Sequence, residues 1–484
     1  MSFRRLGFII AAVVEATGAA MATSAVVAGI YGEWSDARVI ALSAVAVVVV
    51  ADVARRLFTP AAEMTTREGF AAVALSWFAM AFIGTLPYLV TGSVSGMTDA
   101  FFETAAGITT TGSSILPDPA ALGHGVLWWR ALTQWMGGMG IIVLSIAILP
   151  LLGTGGVQLA RAEAPGPSPD RLTPRFRETA KRLWFVYLGF TVAEATLLSF
   201  TDMGVFDAIT HAFTTMSTGG FGTKAASMAA FDNFAQWIVI VFMVLAGISF
   251  ALHFNALRRL DPLTYLRHAE FRLYAGILAA ATAFIVIGTW GENIADTVRD
   301  GVFTSVSLVT TTGYATADFG QWASSLQILV VGLMFVGGMA GSTAGSVKVY
   351  RLGVLYEGSK ADMRRLIHPR GVFVTSFGKQ PVPDAIAESV QSFFLLYMFV
   401  FMAGTLAFSV FDSIAGTNLD LVTSASAVAS ALGNIGPGLS EVGPAANYAV
   451  VPAAGKWLLA VIMIVGRLEL FPVLLLFTRE LWRR

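Results

Sequence analysis

Four short segments rich in threonine, serine and glycine interrupt an otherwise apolar chain and limit what it can fold into. They are Thr-Thr-Thr-Gly-Ser at 109–113, Ser-Thr-Gly-Gly-Phe at 217–221, Thr-Thr-Thr-Gly-Tyr at 310–314 and Gly-Asn-Ile-Gly-Pro at 433–437. Of the 484 residues 56 % are hydrophobic and only 13 % charged, which excludes an ordinary soluble globule and indicates a polytopic membrane protein. Each segment falls where the apolar pattern places chain at membrane depth. Irregular backbone is tolerated there only if it is buried in protein or lines a watery path. Four copies in one chain point to a ring of carbonyl oxygens around a single axis.

Apolar runs long enough to span a bilayer lie near 6–30, 37–58, 69–91, 126–152, 182–201, 234–257, 272–290, 324–347, 389–411 and 456–478, which predicts ten transmembrane helices. Basic residues orient them: Arg4 and Arg5, then Arg55, Arg56 and Arg67, the stretches 161–182, 258–272 and 348–379, and finally Arg479, Arg483 and Arg484. If ten helices alternate, all of these share one side, which the positive-inside rule makes the cytoplasm, with both termini inside. The outer connections 92–125, 202–233, 291–322 and 412–452 hold only Lys224 and Arg299 against thirteen acids, a composition that predicts a cation-concentrating mouth. All four polar segments sit in these outer connections. The run after Arg4 and Arg5 reads as a first span rather than a leader, because Glu15 lies inside it and a second span follows at once.

An internal repeat accompanies the segments. Asp99, Asp207 and Asp300 each lie thirteen residues before Gly112, Gly220 and Gly313, and each is expected to open a short half-helix as an N-cap. In the fourth copy thirteen residues from Asp420 reach Gly433, whereas the loop chemistry matches Gly436, and we take Gly436. The fold class is therefore all-α polytopic membrane protein, with four helix–pore-loop–helix repeats around one pore and an additional N-terminal helix pair. The divisions fall at 1–62 for that pair, then 63–160, 161–262, 263–380 and 381–484 for the four repeats.

Half-helices entering from outside point their partly negative C-terminal ends at the membrane centre, a region that then favours a monovalent cation. Loop carbonyls can replace the ion's water shell, and glycine allows the dihedrals that turn successive carbonyls inward. Candidate ligands are the carbonyls of Thr110, Thr111, Gly112, Thr218, Gly219, Gly220, Thr311, Thr312, Gly313, Asn434, Ile435 and Gly436, with the threonine hydroxyls in support. The loops contain no carboxylate for a divalent ion. There is no cysteine, the five histidines lack metal-ligand spacing, and no phosphate-binding motif is present, so the chain reads as no enzyme.

The chain resembles the TrkH-type potassium uptake channels of bacteria, in the superfamily that includes the KtrB and plant HKT proteins. Besides the four loops, the likeness rests on residues 129–143, 337–348, 433–439 and 466–471, and it covers essentially the whole chain. It implies potassium as the ion at the filter residues, with no covalent cofactor, and makes Gly112, Gly220, Gly313 and Gly436 the filter glycines. Glycine rather than serine at 112 implies potassium preference over sodium. The resemblance further implies a bacterial inner-membrane homodimer, bathed in membrane lipid, with separate cytosolic nucleotide-binding TrkA-like regulatory subunits and no nucleic-acid partner. The alternatives are a sodium-conducting relative and, from another class, a sodium- or proton-coupled secondary transporter (a symporter) of an organic solute.

Two features remain. The run 324–356 holds too much glycine for a uniform helix; Gly337, Gly338, Gly341, Ser342, Thr343 and Gly345 predict an irregular loop at 337–347 crossing the path below the filter. The other reading is close packing by small residues. The family has an intramembrane gating loop at this place. Arg467, expected midway along the last helix, costs roughly 2.5–3.5 kcal/mol at that depth and is functional by default. It is read as an electrostatic plug acting with the loop, or else as an ion pair with Glu194 or Glu15; Glu469, two residues on, is not a helix-face partner.

Overall fold

Helix follows hydrophobicity along most of the chain, as it must where no water can satisfy the backbone. The computed structural model describes residues 2–58, 65–147, 172–291, 293–378 and 380–482. The basic residues Arg161, Arg171, Lys379, Arg483 and Arg484 lie outside them. Among the described residues five helices are long and apolar enough to cross a membrane: Phe3–Ile30, Trp34–Leu57, Arg67–Val90, Ala269–Gly288 and Asp384–Ala415. The first two pack against each other as the N-terminal pair. The runs at 126–152 and 182–201 overlap helices His124–Ala147 and Leu172–Leu198, with 148–152 outside the described residues.

Among the described residues three of the apolar runs are strongly bent or broken, beyond the short turn at Gly84 and Thr85 in the third. The sixth bends by 98° between Asn233–Ala246 and Phe250–Arg259. The eighth stops at Leu333, and helix resumes only at Val349. The last stops at Arg467 and restarts as the short helix Phe471–Leu475. At that break Glu469 and Leu470 adopt φ of +57° and +66°, left-handed values that residues with a Cβ rarely take. Arg467 thus stands at a helix C-terminus, where the macrodipole favours a cation, and not midway along a helix.

Four short helices, Met97–Ile108, Val205–Met216, Ile294–Val309 and Leu421–Gly433, run into the four polar segments. Their inner turns are almost wholly buried. The expected aspartate caps are only partly realised. Asp420 caps the fourth, accepting the Thr423 N–H at 2.7 Å. Burial works to raise its carboxyl, yet the bonds from Thr423 and Ser440 hold it below the usual range, so the cap is lost only as pH falls through that lowered value. Asp99 and Asp207 lie inside the first turn behind Gly96 and Gly204, and Asp300 lies well along a helix that Asn293 caps. The third helix starts earlier than the others, which shifts the acid without shifting its distance from the loop.

Candidate functional site

The four segments share one backbone conformation. Left-handed φ occurs at Thr110 and Gly112 (+52° and +81°), at Thr218 and Gly220 (+54° and +75°), and at Thr311 and Gly313 (+57° and +78°). The fourth repeats it at Asn434 and Gly436 (+54° and +118°), so Gly436 aligns with Gly112, while Gly433 still belongs to the helix. The N–H groups of Thr111 and Gly112 both turn back to the Ala106 carbonyl, as those of Gly219 and Gly220 do to Thr214 and those of Thr312 and Gly313 to Ser307. In the fourth loop Ile435 N–H bonds the Ser430 carbonyl, but Gly436 N–H bonds the Ser430 hydroxyl.

The loops close into a ring. A Cβ on Gly112 would lie 2.1 Å from the Gly219 carbonyl oxygen, one on Gly220 1.9 Å from that of Thr312, and one on Gly313 1.7 Å from that of Ile435. A Cβ on Gly436 would come within 2.9 Å of the Thr111 oxygen, which returns the circuit to the first loop. Each glycine is therefore required twice, by its φ and by the carbonyl of the next repeat. Side chains pin the loops from behind. Asn434 Nδ2 donates to Thr111 Oγ1 at 3.0 Å and to the Met463 carbonyl at 2.9 Å. Hydroxyls pair Thr109 with Thr111 and Thr310 with Thr312. The Gly436 carbonyl is held by the hydroxyls of Ser113, Ser430 and Tyr448 at 2.7–2.9 Å, which sets the fourth loop apart.

On one side of the ring a cavity of about 150 Å³ is lined by Gly112, Gly220, Gly313 and Gly436. Its wall also carries Arg130 and Lys224, and none of the acids expected to concentrate cations lines it. Three of those acids are engaged in ion pairs: Asp99 with Lys456 at 2.7 Å, Asp300 with Arg299 at 3.0 Å, and Glu103 with Arg130 at 2.9 Å. The cavity is thus lined by the four glycines that lie just beyond the C-terminal ends of four short helices.

Sequence reasoning overlooked the Arg130–Glu103 pair, although opposite charges in neighbouring apolar stretches are a usable sign. Glu103 also accepts from Ser114 Oγ and Ile115 N–H, while Arg130 reaches the Gly222 carbonyl at 3.0 Å and covers the Phe221 ring at 4.1 Å. The pair ties the first two loops together. Arg130→Ala is expected to cost about 3–5 kcal/mol by stranding the buried Glu103, with much of that recovered in the Arg130→Ala, Glu103→Ala double variant. Thermal unfolding of the three proteins in detergent measures it; equal melting of single and double variants would contradict the coupling.

On the other side lies the irregular segment between Leu333 and Val349. Gly337 N–H bonds the Val347 carbonyl at 2.8 Å, closing it into a loop. Met339 N–H bonds the Gly247 carbonyl at 2.8 Å, and the Gly341 carbonyl accepts from Phe250 N–H, both at the bend of the sixth run. Thr343 Oγ1 donates to the carbonyls of Met216 and Ala246, and Ser342 Oγ to Met339. Gly345 N–H donates to Thr311 Oγ1 at 2.7 Å, and a Cβ on Gly345 would sit 2.2 Å from the Gly433 oxygen. A Cβ on Gly338 would meet the Gly247 oxygen at 2.7 Å. The loop is thus seated directly against the ends of the second and fourth half-helices and against the third polar segment. Buried Glu270 anchors its flanks through the N–H groups of Ala340 and Tyr350, and the Lys348 ammonium is folded onto the Ala344 carbonyl.

Arg467, only 2 % exposed, reaches this loop: Nη1 donates to the Thr343 carbonyl at 2.6 Å and Nη2 to that of Gly137 at 3.4 Å. It has no carboxylate partner among the described residues. Glu15 pairs instead with Arg55 at 3.0 Å, and neither oxygen of Glu194 has a hydrogen-bond partner. Glu469, freed from helical geometry by the break, pairs with Arg351, whose guanidinium lies 3.8 Å over the Phe393 ring.

The sequence matches the TrkH family, described as cation transport protein, over residues 37–287 and 292–483. It is 40 % identical over 428 residues to the Trk system potassium uptake protein TrkH of Salmonella typhimurium, covering 87 % of each chain. It is 32 % identical over 429 residues to TrkG of Escherichia coli K12, covering 87 % of this chain and 86 % of that protein. The crystal structure of the potassium transporter TrkH from Vibrio parahaemolyticus superposes with a TM-score of 0.90 at 34 % identity, with all of both chains covered.

Proposed function

We propose a route for the ion from one premise: this chain belongs to the TrkH family of cation transport proteins and is a membrane transporter of potassium, not an enzyme. The ion sheds its water at the ring, where the carbonyls of Thr110–Gly112, Thr218–Gly220, Thr311–Gly313 and Asn434–Gly436 stand in for it. The observation that carries this reading is the closed circuit in which each glycine faces the next loop's carbonyl. Below it, the loop at 337–347 and Arg467 limit passage, a role supported by the guanidinium's bond to the Thr343 carbonyl. Uptake runs into the cytoplasm of a bacterium across its inner membrane, with both termini inside, as the basic residues favour.

The chain works as a homodimer on TrkA-like nucleotide-binding subunits. Exposed Arg364, Arg365 and Arg370, at and beyond the end of helix Val349–Ile367, suit such a partner and equally suit anionic lipid headgroups. Radiotracer rubidium uptake by the purified protein in liposomes is the test, with potassium, sodium and glutamate as competitors. Strong competition by potassium and weak competition by sodium is expected; competition by glutamate would favour a coupled solute transporter instead.

A further inference from the structure

The position just before each filter glycine is occupied by Thr111, Gly219, Thr312 and Ile435, so the second loop alone has no side chain there. The side chains of the other three are fully buried. Gly219 does not have a left-handed φ, and its backbone would accept any residue. Space is what forbids one: a Cβ on Gly219 would lie 2.4 Å from Gln134 Cδ and Oε1. Gln134 comes from the long helix behind the first loop, is itself fully buried, and fills the place of the missing side chain.

It also does what no aliphatic filler could. Its Nε2 donates to the Gly219 carbonyl at 2.7 Å, and its Oε1 accepts the Phe221 N–H at 3.1 Å. The two bonds straddle Gly220 and fix the peptides on either side of it. The Gly219 oxygen is the one that faces Gly112 in the ring. Among the described residues the corresponding carbonyls of Thr111, Thr312 and Ile435 accept no hydrogen bond. We propose that Gln134 is a positioning residue for ion selection: it substitutes for the absent side chain at 219 and clamps the second loop, setting how far the Gly219 carbonyl can follow a smaller ion.

This inference rests on the reading of the ring as the ion filter. Its test is potassium-over-sodium preference, read as competition against rubidium uptake in liposomes. Gln134→Leu keeps the volume and removes both bonds; preference is expected to fall about two- to tenfold, the range a single hydrogen bond supports. Gly219→Thr should abolish uptake while Gln134 is present, and adding Gln134→Ala should recover it, because the threonine then packs as Thr111 and Thr312 do. A purely structural role for Gln134 would lower the yield of folded protein and leave the preference ratio unmoved. Wild-type preference in folded Gln134→Leu, or full uptake by Gly219→Thr alone, would overturn the proposal. Gly112→Ser in the same assay separates the two levels. If it shifts preference while the Gln134 variants do not, only the clamp fails; if it too leaves preference unchanged, the filter reading fails.

Discussion

Arg467→Ala should raise potassium flux through the purified protein in vesicles. The residue brings a positive charge to a site where, among the described residues, it is paired only with carbonyl oxygens. Two like charges about 8 Å apart repel by roughly 2 kcal/mol at an effective dielectric near 20, which as a barrier is roughly thirtyfold in rate. The substitution also removes the bond to the Thr343 carbonyl and so loosens the loop at the same place. The two contributions separate with Arg467→Lys, which retains the charge and gives up the guanidinium fork. If charge dominates, the lysine variant stays near wild-type flux. If the tether dominates, it approaches the alanine variant. Unchanged or lower flux from well-folded Arg467→Ala protein would remove the plug from the mechanism.

The ring was legible before any coordinates because it is repeated. A single Thr-Thr-Thr-Gly is a common turn, but four related copies, each following a short helix, impose a common geometry. The fourth copy was readable from loop chemistry where residue counting misled, since helix lengths vary more easily than the φ pattern that presents carbonyls. Other features depended on tertiary partners. No glycine or proline occupies 468–470, so the break after Arg467 was hidden in an apolar run; Pro472, near the start of the next short helix, was the available sign. Glu469 was judged by helix-face geometry that the break abolishes, and its partner Arg351 is 118 residues away in sequence. The acids of the outer connections are countable in sequence, but their partners are not. Three of them pair with Lys456, Arg299 and Arg130. Composition can count charges on a face; only packing says which of them meet the ion.

The same distinction makes the filter glycines the sharpest test of the route. Gly112→Ser places a side chain where φ is +81° and where its Cβ would start 2.1 Å from the Gly219 oxygen. Left-handed backbone alone costs a residue with a Cβ roughly 1–2 kcal/mol, and the clash must be relieved by moving the neighbouring carbonyl. A displacement of that oxygen opens the ring on one side, where a smaller ion can still be followed by the remaining ligands. Potassium-over-sodium preference is therefore expected to fall by about tenfold or more, since each 1.4 kcal/mol of lost discrimination is a factor of ten. The effect should grade around the ring. Gly313 has the tightest approach, 1.7 Å to the Ile435 oxygen, and its serine variant should lose uptake altogether; Gly436, at 2.9 Å from the Thr111 oxygen, has the most room. Competition assays on the four serine variants would measure the order. Selectivity that survives in Gly112→Ser, or full uptake by the Gly313 serine variant, would mean that the ion passes elsewhere.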